Sequence, residues 1–423
     1  MMRRALAAGL AASALMLPVP AHAGGYDTPM LYSARHMGMG GAAIGYVNDP
    51  SAVFHNPAGL AQIERGEVIG DFSLLLGGIH ASPGLGAGRD VSSDTTVAPF
   101  FLVGAGYRIQ KLITLGIGVY PIASSGATFH YGATKDSTEL FFLEASPAIA
   151  INVLPNLRIG AGYRVTYVRL NRYSGQPDAA TVPYLDFTLS GQNFAGFRAG
   201  VQYDPLSWLS LGAVFRNPTT TKVSNDHGIA LRREFSDVST KFKLPAKVGV
   251  GSRADFEEFG LHGALAADFE YTFNSENVGY DLQGTEAGMT TPTSVSNVFE
   301  WSNSATFRFG AEYRVWRNPA LQLDRIALRA GFVHDTKTAN AHYPTPFGTP
   351  PGATQVVTVG TGYNGGKWQA NLAYGYRFGH GAVTAADVAP SAGRKECAFC
   401  GTYGKDDYSI HLSGIYVDAS YKF

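Results

Sequence analysis

The sequence predicts an all-β protein: a transmembrane antiparallel β-barrel of about fourteen strands, with a short N-terminal plug in the lumen. Three observations carry this. Apolar and polar residues alternate with a period of two along most of the chain. The connections between alternating stretches are short and long by turns, and a secretory leader precedes them.

The leader comes first. Arg3 and Arg4 form a basic head, Ala5 to Leu17 an apolar run, and Ala21-His22-Ala23 a small-x-small cleavage site, so residues 1–23 read as a signal peptide. The apolar run falls short of the ~20 residues that cross a bilayer as a helix, and no other run reaches that length. Export to the bacterial outer membrane follows. Lys plus Arg and Asp plus Glu both number 33, so no basic surplus points to nucleic acid. Gly 51, Tyr 22 and Phe 25 are high counts for 423 residues.

Residues 24–66 lack the alternation and read as the plug, and 67–423 read as the barrel. Strands are expected near 67–80, 96–108, 112–123, 139–153, 157–170, 184–203, 208–217, 241–253, 259–273, 301–316, 324–335, 354–363, 367–378 and 409–423. In the last, Ile415, Val417, Ala419, Tyr421 and Phe423 share one face, and Gly414, Tyr416, Asp418, Ser420 and Lys422 the other. Short turns are expected at Gln110-Lys111, Pro155-Asn156, Asp204-Pro205, Glu257-Glu258, Arg317 to Leu323 and Gly365-Gly366. Long polar loops are expected at 81–95, 124–138, 171–183, 218–240, 274–300, 336–353 and 379–408. Short periplasmic turns and long external loops are the topology of bacterial barrels, and Phe423 sits where an interfacial aromatic belongs.

The plug segment reads His36-Met37-Gly38-Met39-Gly40-Gly41-Ala42-Ala43, then Asn48-Asp49-Pro50-Ser51-Ala52 and Asn56-Pro57-Ala58-Gly59-Leu60. Its two X-Pro steps forbid a long helix. About forty residues make a poor independent core, whereas a polar lumen can satisfy their backbone groups. Gly38-x-Gly40-Gly41 has no strand before it and no helix after it, so it is not a phosphate cradle.

This segment, followed by fourteen strands ending in Phe423, resembles the FadL-type long-chain fatty-acid transporters, a family that includes the TodX-like channels for aromatic hydrocarbons. Phe242 to Gly251 and Leu328 to Phe332 agree with it, and the resemblance covers the whole mature chain. It implies passive uptake of hydrophobic compounds, fatty acids before aromatic hydrocarbons. Capture in a groove among external loops would lead to a lumenal site near the N-terminus, then to a side exit where the third strand kinks. Such a route keeps an apolar solute out of water, past a lipopolysaccharide leaflet that blocks it from outside. Asn56, Pro57 and Ala58 would then fix the plug, and Tyr26 would stand where the family has a plug-tip phenylalanine. The 379–408 loop with Cys397-Ala398-Phe399-Cys400 departs from the family pattern.

Candidate ligand contacts are the lumen-face arginines Arg164, Arg198, Arg216, Arg308, Arg329 and Arg377, because a guanidinium fork matches a carboxylate. The alternative is that they pair with Asp268, Glu270, Glu312 and Asp335, or hydrogen-bond the plug. The side opening is expected at Tyr120, Pro121, Ser124, Ser125 and Gly126, since Pro121 cannot donate to a ladder. Alternatively, Pro121 marks the end of its strand. Cys397 and Cys400 read as a loop disulfide in an oxidising compartment, with free thiols, a redox role or zinc beside His380 and His411 as alternatives. One CxxC lacks the four ligands of structural zinc, and no metal or cofactor is expected. No Gly-x-Ser-x-Gly is present and no enzyme is expected. Expected partners are hydrophobic small molecules, outer-membrane lipid and lipopolysaccharide, and the barrel-assembly machinery through Phe423, with the barrel a monomer. The rival functions are a diffusion porin for polar solutes and an adhesin-like surface protein.

Overall fold

The computed structural model describes residues 32–81, 91–177, 181–318, 320, 323–343, 351–389, 393, 395, 397 and 406–423. The leader, Tyr26 and Cys400 lie outside them.

Fourteen antiparallel strands follow one another around the wall. They are β1 (Gly66–Ala81), β2 (Thr96–Arg108), β3 (Ile113–Tyr131), β4 (Thr134–Leu154), β5 (Leu157–Gly175) and β6 (Leu185–Leu206). β7 has two parts, Leu209–Arg216 and Thr219–Ala230, as does β8, Arg233–Leu244 and Lys247–Asp255. β9 (Gly263–Thr272), β10 (Ser304–Asn318), β11 (Leu323–Asp335), β12 (Ala353–Asn364), β13 (Trp368–Val383) and β14 (Asp406–Lys422) complete the set. β1 pairs with β2 on one side and with β14 on the other, so the sheet closes on itself. Closure satisfies strand edges that hydrocarbon could not.

The alternation sorts side chains as expected. Outward positions carry Phe72, Ile117, Leu265, Val357, Leu372 and Val417, all exposed on the outer surface. Toward the short-turn end, exposed Tyr107, Tyr203, Tyr313, Trp316, Trp368 and Tyr421 form an aromatic girdle. The Phe423 amide donates to the Gly66 carbonyl at 3.0 Å, tying the chain end to the start of β1.

Two of the expected long loops are strand instead. Residues 124–138 continue β3 and β4 as a paired hairpin, and 218–240 do the same for β7 and β8. Cross-strand pairing satisfies their polar backbones without an apolar stripe to announce it. At ~3.3 Å per residue the 21 residues of β4 extend ~70 Å, far beyond an apolar band ~25 Å tall. The outer parts of β3–β8 therefore stand clear of the membrane as a crown.

Residues 32–63 lie inside the barrel. Two single-turn helices, α1 (Ala34–Met37) and α2 (Ala52–His55), and a 3-10 turn at Pro57–Gln62 are joined by tight turns. α1 rests on β12–β14, α2 on β3 and β4, and the 3-10 turn on β3–β6.

A lumenal junction and a break in the wall

The inner segment is held mainly through its backbone, by side chains of the wall. Asp268 of β9 accepts from the amides of Ala43 and Ile44 at 2.8 and 2.9 Å. Asp418 of β14 accepts from Ser33 Oγ at 2.8 Å and the Arg35 amide at 3.1 Å, and Thr358 of β12 accepts from the Gly40 amide at 3.1 Å. Asn56 works in the other direction. Its Nδ2 donates to the carbonyls of Ile44 (2.9 Å) and Val201 (3.0 Å), while its Oδ1 accepts from the Ala58 amide and caps the 3-10 turn. A Cβ at Gly200 would lie 2.0 Å from Asn56 Oδ1, and one at Gly160 2.4 Å from the Ala58 amide nitrogen. Only glycine lets the wall come this close.

Titratable groups are buried within the segment. Burial pushes the His55 imidazole down to about 3, helped by nearby His36, and His55 Nε2 lies 2.8 Å from the Tyr32 carbonyl. Burial also lowers His36. Burial alone would raise Asp49, but His36, Arg35 and Ser51 outweigh it and hold its carboxyl well below the usual range.

Each of the six candidate arginines is engaged. Arg164 Nε donates to Glu144 at 2.6 Å, and Arg198 lies 3.5 Å from the same carboxylate. Arg198 also donates to Tyr120 Oη (2.9 Å) and the Val53 carbonyl (2.6 Å), with its guanidinium 5.6 Å from the Phe54 ring centre. Arg216 donates to the Pro245 carbonyl at 2.9 Å. Arg308 pairs with Glu270 at 3.4 Å, Arg329 with Glu312 at 2.7 Å, and Arg377 with Asp335 at 2.9 Å. Three of the four expected acidic partners take that role, and Asp268 holds the inner segment instead.

The residue that sequence reasoning missed is Glu144. Fully buried, it gathers Tyr120 (2.7 Å), Arg164 and Arg198 at one point. Its signal was present: one carboxylate among the alternate positions Leu140, Phe142, Ser146 and Ala148.

Above this junction the lumen turns apolar. Leu140 and Phe142, Val168 and Leu170, Phe187 and Leu189, and Phe235 and Phe242 project inward from β4, β5, β6 and β8 into one cluster. Phe299 and Trp301 of the 274–303 connection stack over it, 5.0 Å between ring centres. The cluster ends at Ile122 and Ala123 of β3.

There the wall is interrupted. β2 pairs with β3 only from Val103↔Val119 to Arg108↔Thr114. Above that pair β2 stays with β1, and β3 stays with β4 through a register shift between Pro121 and Ala123. The alternation also fails, because Tyr120, Pro121, Ile122 and Ala123 are all buried in succession. The chain just before β2 meets β3 again through the Asp94 amide, which donates to the Thr128 carbonyl at 2.8 Å. Ser124, Ser125 and Gly126 pair with Phe141, Leu140 and Glu139 of β4 and face the unpaired side of β2. Pro121 is therefore mid-strand and does not mark an end. Behind it the Tyr32 hydroxyl donates to its carbonyl, and the Tyr32 ring packs on Phe54 and Tyr120.

Far from the junction, Cys397 is disulfide-bonded, its Sγ accepting from the Val298 amide at 3.3 Å. Among the described residues no group of three His, Cys, Asp or Glu could hold a metal.

Known proteins place this geometry. No curated protein sequence matches the chain. The structure resembles a Pseudomonas aeruginosa FadL homologue (TM-score 0.74, 16% identity, 95% of this chain and 100% of that one). It also resembles the Pseudomonas putida toluene transporter TodX (0.67, 16%, 96% and 100%) and the Ralstonia pickettii toluene transporter TbuX (0.62, 17%, 93% and 98%). At such identity these likenesses establish the fold. Residues 20–395 match the family described as outer membrane protein transport protein (OMPP1/FadL/TodX). The chain belongs to that family and is a bacterial outer-membrane channel for hydrophobic compounds.

Proposed function

We propose that the channel takes up long-chain fatty acids, which descend the apolar crown, present their carboxylate at the Arg164–Glu144–Arg198 junction, and leave sideways between β2 and β3. One observation carries the choice of ligand. Two buried guanidinium groups share a single carboxylate at the foot of an apolar column, so an acid with a long tail meets both chemistries at once. Residues 32–63 act as the plug that closes the straight path to the periplasm and turns the ligand toward the break. Aromatic hydrocarbons of the kind carried by TodX need only the apolar part.

Uptake of labelled oleate, toluene and a sugar, in cells with and without the gene, tests this. Oleate uptake should depend on the gene, and Arg198→Gln should lower oleate uptake but not toluene uptake. Equal loss of both in Arg198→Gln would shift the reading to a hydrocarbon channel, and gene-dependent sugar uptake would make it a porin. A disulfide between Phe101→Cys and Pro121→Cys, two positions above Val103↔Val119 in the same register, should block uptake until reduced. Normal uptake through the closed staple would refute the side exit.

A further inference from the structure

The outer face of the wall carries a hollow directly beneath the break. Its volume is about 640 Å³, within the range of ligand pockets. Registration of the strands makes it. Ala419, Gly70, Val103 and Val119 stand in one row across β14, β1, β2 and β3. The row above carries Val417, Phe72 and Phe101, and the row below Tyr421, Val68, Ala105 and Ile117, so at β14 and β1 the small Ala419 and Gly70 lie between bulky side chains. A Cβ at Gly70 would meet nothing within 4 Å: the glycine leaves open space on the lipid side.

We propose that this trough is a lipid-facing site for the hydrocarbon chain of the ligand as it emerges, a proposal that rests on the side exit above. The occupant follows from continuity and chemistry. Val103 and Val119 form both the sill of the break and one end of the trough, so a chain crossing the sill enters it without meeting water. The outward side chains are apolar along its length. At the far end stand Trp368 and Tyr421, whose amphipathic rings mark the inner interface. The trough thus lays the tail along the wall toward the leaflet it must join. A chain held there is shielded on its protein side, and the ligand is released stepwise.

The test uses full-length protein in outer-membrane vesicles with palmitate carrying a terminal diazirine. Photolabel should appear on outward residues of Gly66–Ala81 and Asp406–Lys422, and should vanish when the Phe101→Cys/Pro121→Cys staple is closed. Gly70→Leu, which fills the trough into open space, should cut that label at least fivefold and slow oleate uptake about threefold, with label inside the lumen unchanged. Ala419→Leu should act alike, and heat-modifiable mobility reports whether each variant has assembled. Wall label that persists with the staple closed would mean the chain enters from the bilayer as any lipid tail does, and would overturn the proposal. Unchanged label and uptake in assembled Gly70→Leu and Ala419→Leu would overturn it with the side exit intact. Uptake that survives the staple would instead remove the exit itself.

Discussion

Two lapses in the wall at the level of the lumenal junction differ in how they are bridged. Between β6 and β7, pairing stops at Arg198↔Arg216 and resumes only at Ser190↔Ser224. That gap is stitched by amide side chains. Asn217 Oδ1 accepts from the Phe197 amide at 2.6 Å, its Nδ2 donates to the Ala195 carbonyl at 2.9 Å, and Asn193 Nδ2 donates to the Thr220 carbonyl at 2.9 Å. At the β2–β3 break no side-chain amide spans the strands among the described residues. Phe100, Leu102, Ile122 and Ala123 line its margins, and from the interior Tyr32 donates to the Pro121 carbonyl. A lapse in the ladder is therefore not in itself a door. The proposed side exit needs a lapse that no side-chain amide bridges, with an apolar path leading up to it.

The largest perturbation of this contrast should come from Glu144, which braces the lower edge of the break through Tyr120 and faces the stitched side through Arg198. Glu144→Leu strands two buried arginines and should cost about 3–5 kcal/mol, seen as a lower temperature for loss of the compact band on gels. Next, Asn56→Leu removes a cap and two buried donors, worth about 2–3 kcal/mol. It should loosen the inner segment and reduce oleate uptake while the barrel still assembles. Unchanged uptake in an assembled variant would show that Asn56 does not seat the plug.

Acid should act on the inner segment before the wall. His55 binds its proton near pH 3 in the fold but near 6.5 when unfolded. Between those values the unfolded segment holds the extra proton, so its stability falls as pH drops, by about 2 kcal/mol at pH 5. Proteolysis of residues 32–63 at pH 7 and pH 5 reads this out, and His55→Gln should flatten the difference. Asn217→Ala unpicks the stitched break and should cost about 1–2 kcal/mol. Lipid-soluble photolabel should then reach Gly196 and Arg198, which are buried in the parent protein. The smallest effect belongs to Tyr32→Phe. Loss of its bond to the Pro121 carbonyl should cost about 1 kcal/mol and alter uptake less than twofold, because the ring still packs on Phe54 and Tyr120.

Much of this was legible in advance. A period of two has one geometric meaning, so the number of strands and the sidedness of Phe307 and Arg308, or Leu372 and Asn371, could be read from the chain. The Asn56-Pro57-Ala58 turn announced itself through residues that cap and break helices, and Pro121 marked the third strand. The crown was hidden, because residues 124–138 and 218–240 are polar hairpins held by pairing that no apolar stripe signals. The junction was hidden for a related reason. Glu144, Arg164 and Arg198 come from three strands, and which arginine meets which acid is set by register and strand tilt.

The sequence by itself determined a closed β wall, its lipid-facing and lumen-facing sides, and a turn-rich segment before it, because local periodicity and turn chemistry act within a few residues. Only the tertiary structure decided that Asp268 grips the inner segment and not an arginine, that one ladder lapse is stitched by amide side chains and the other is not, and that Gly70 and Ala419 align beneath the second. Those outcomes depend on residues up to hundreds of positions apart meeting at angstrom distances, and closure of the barrel is what brings them together.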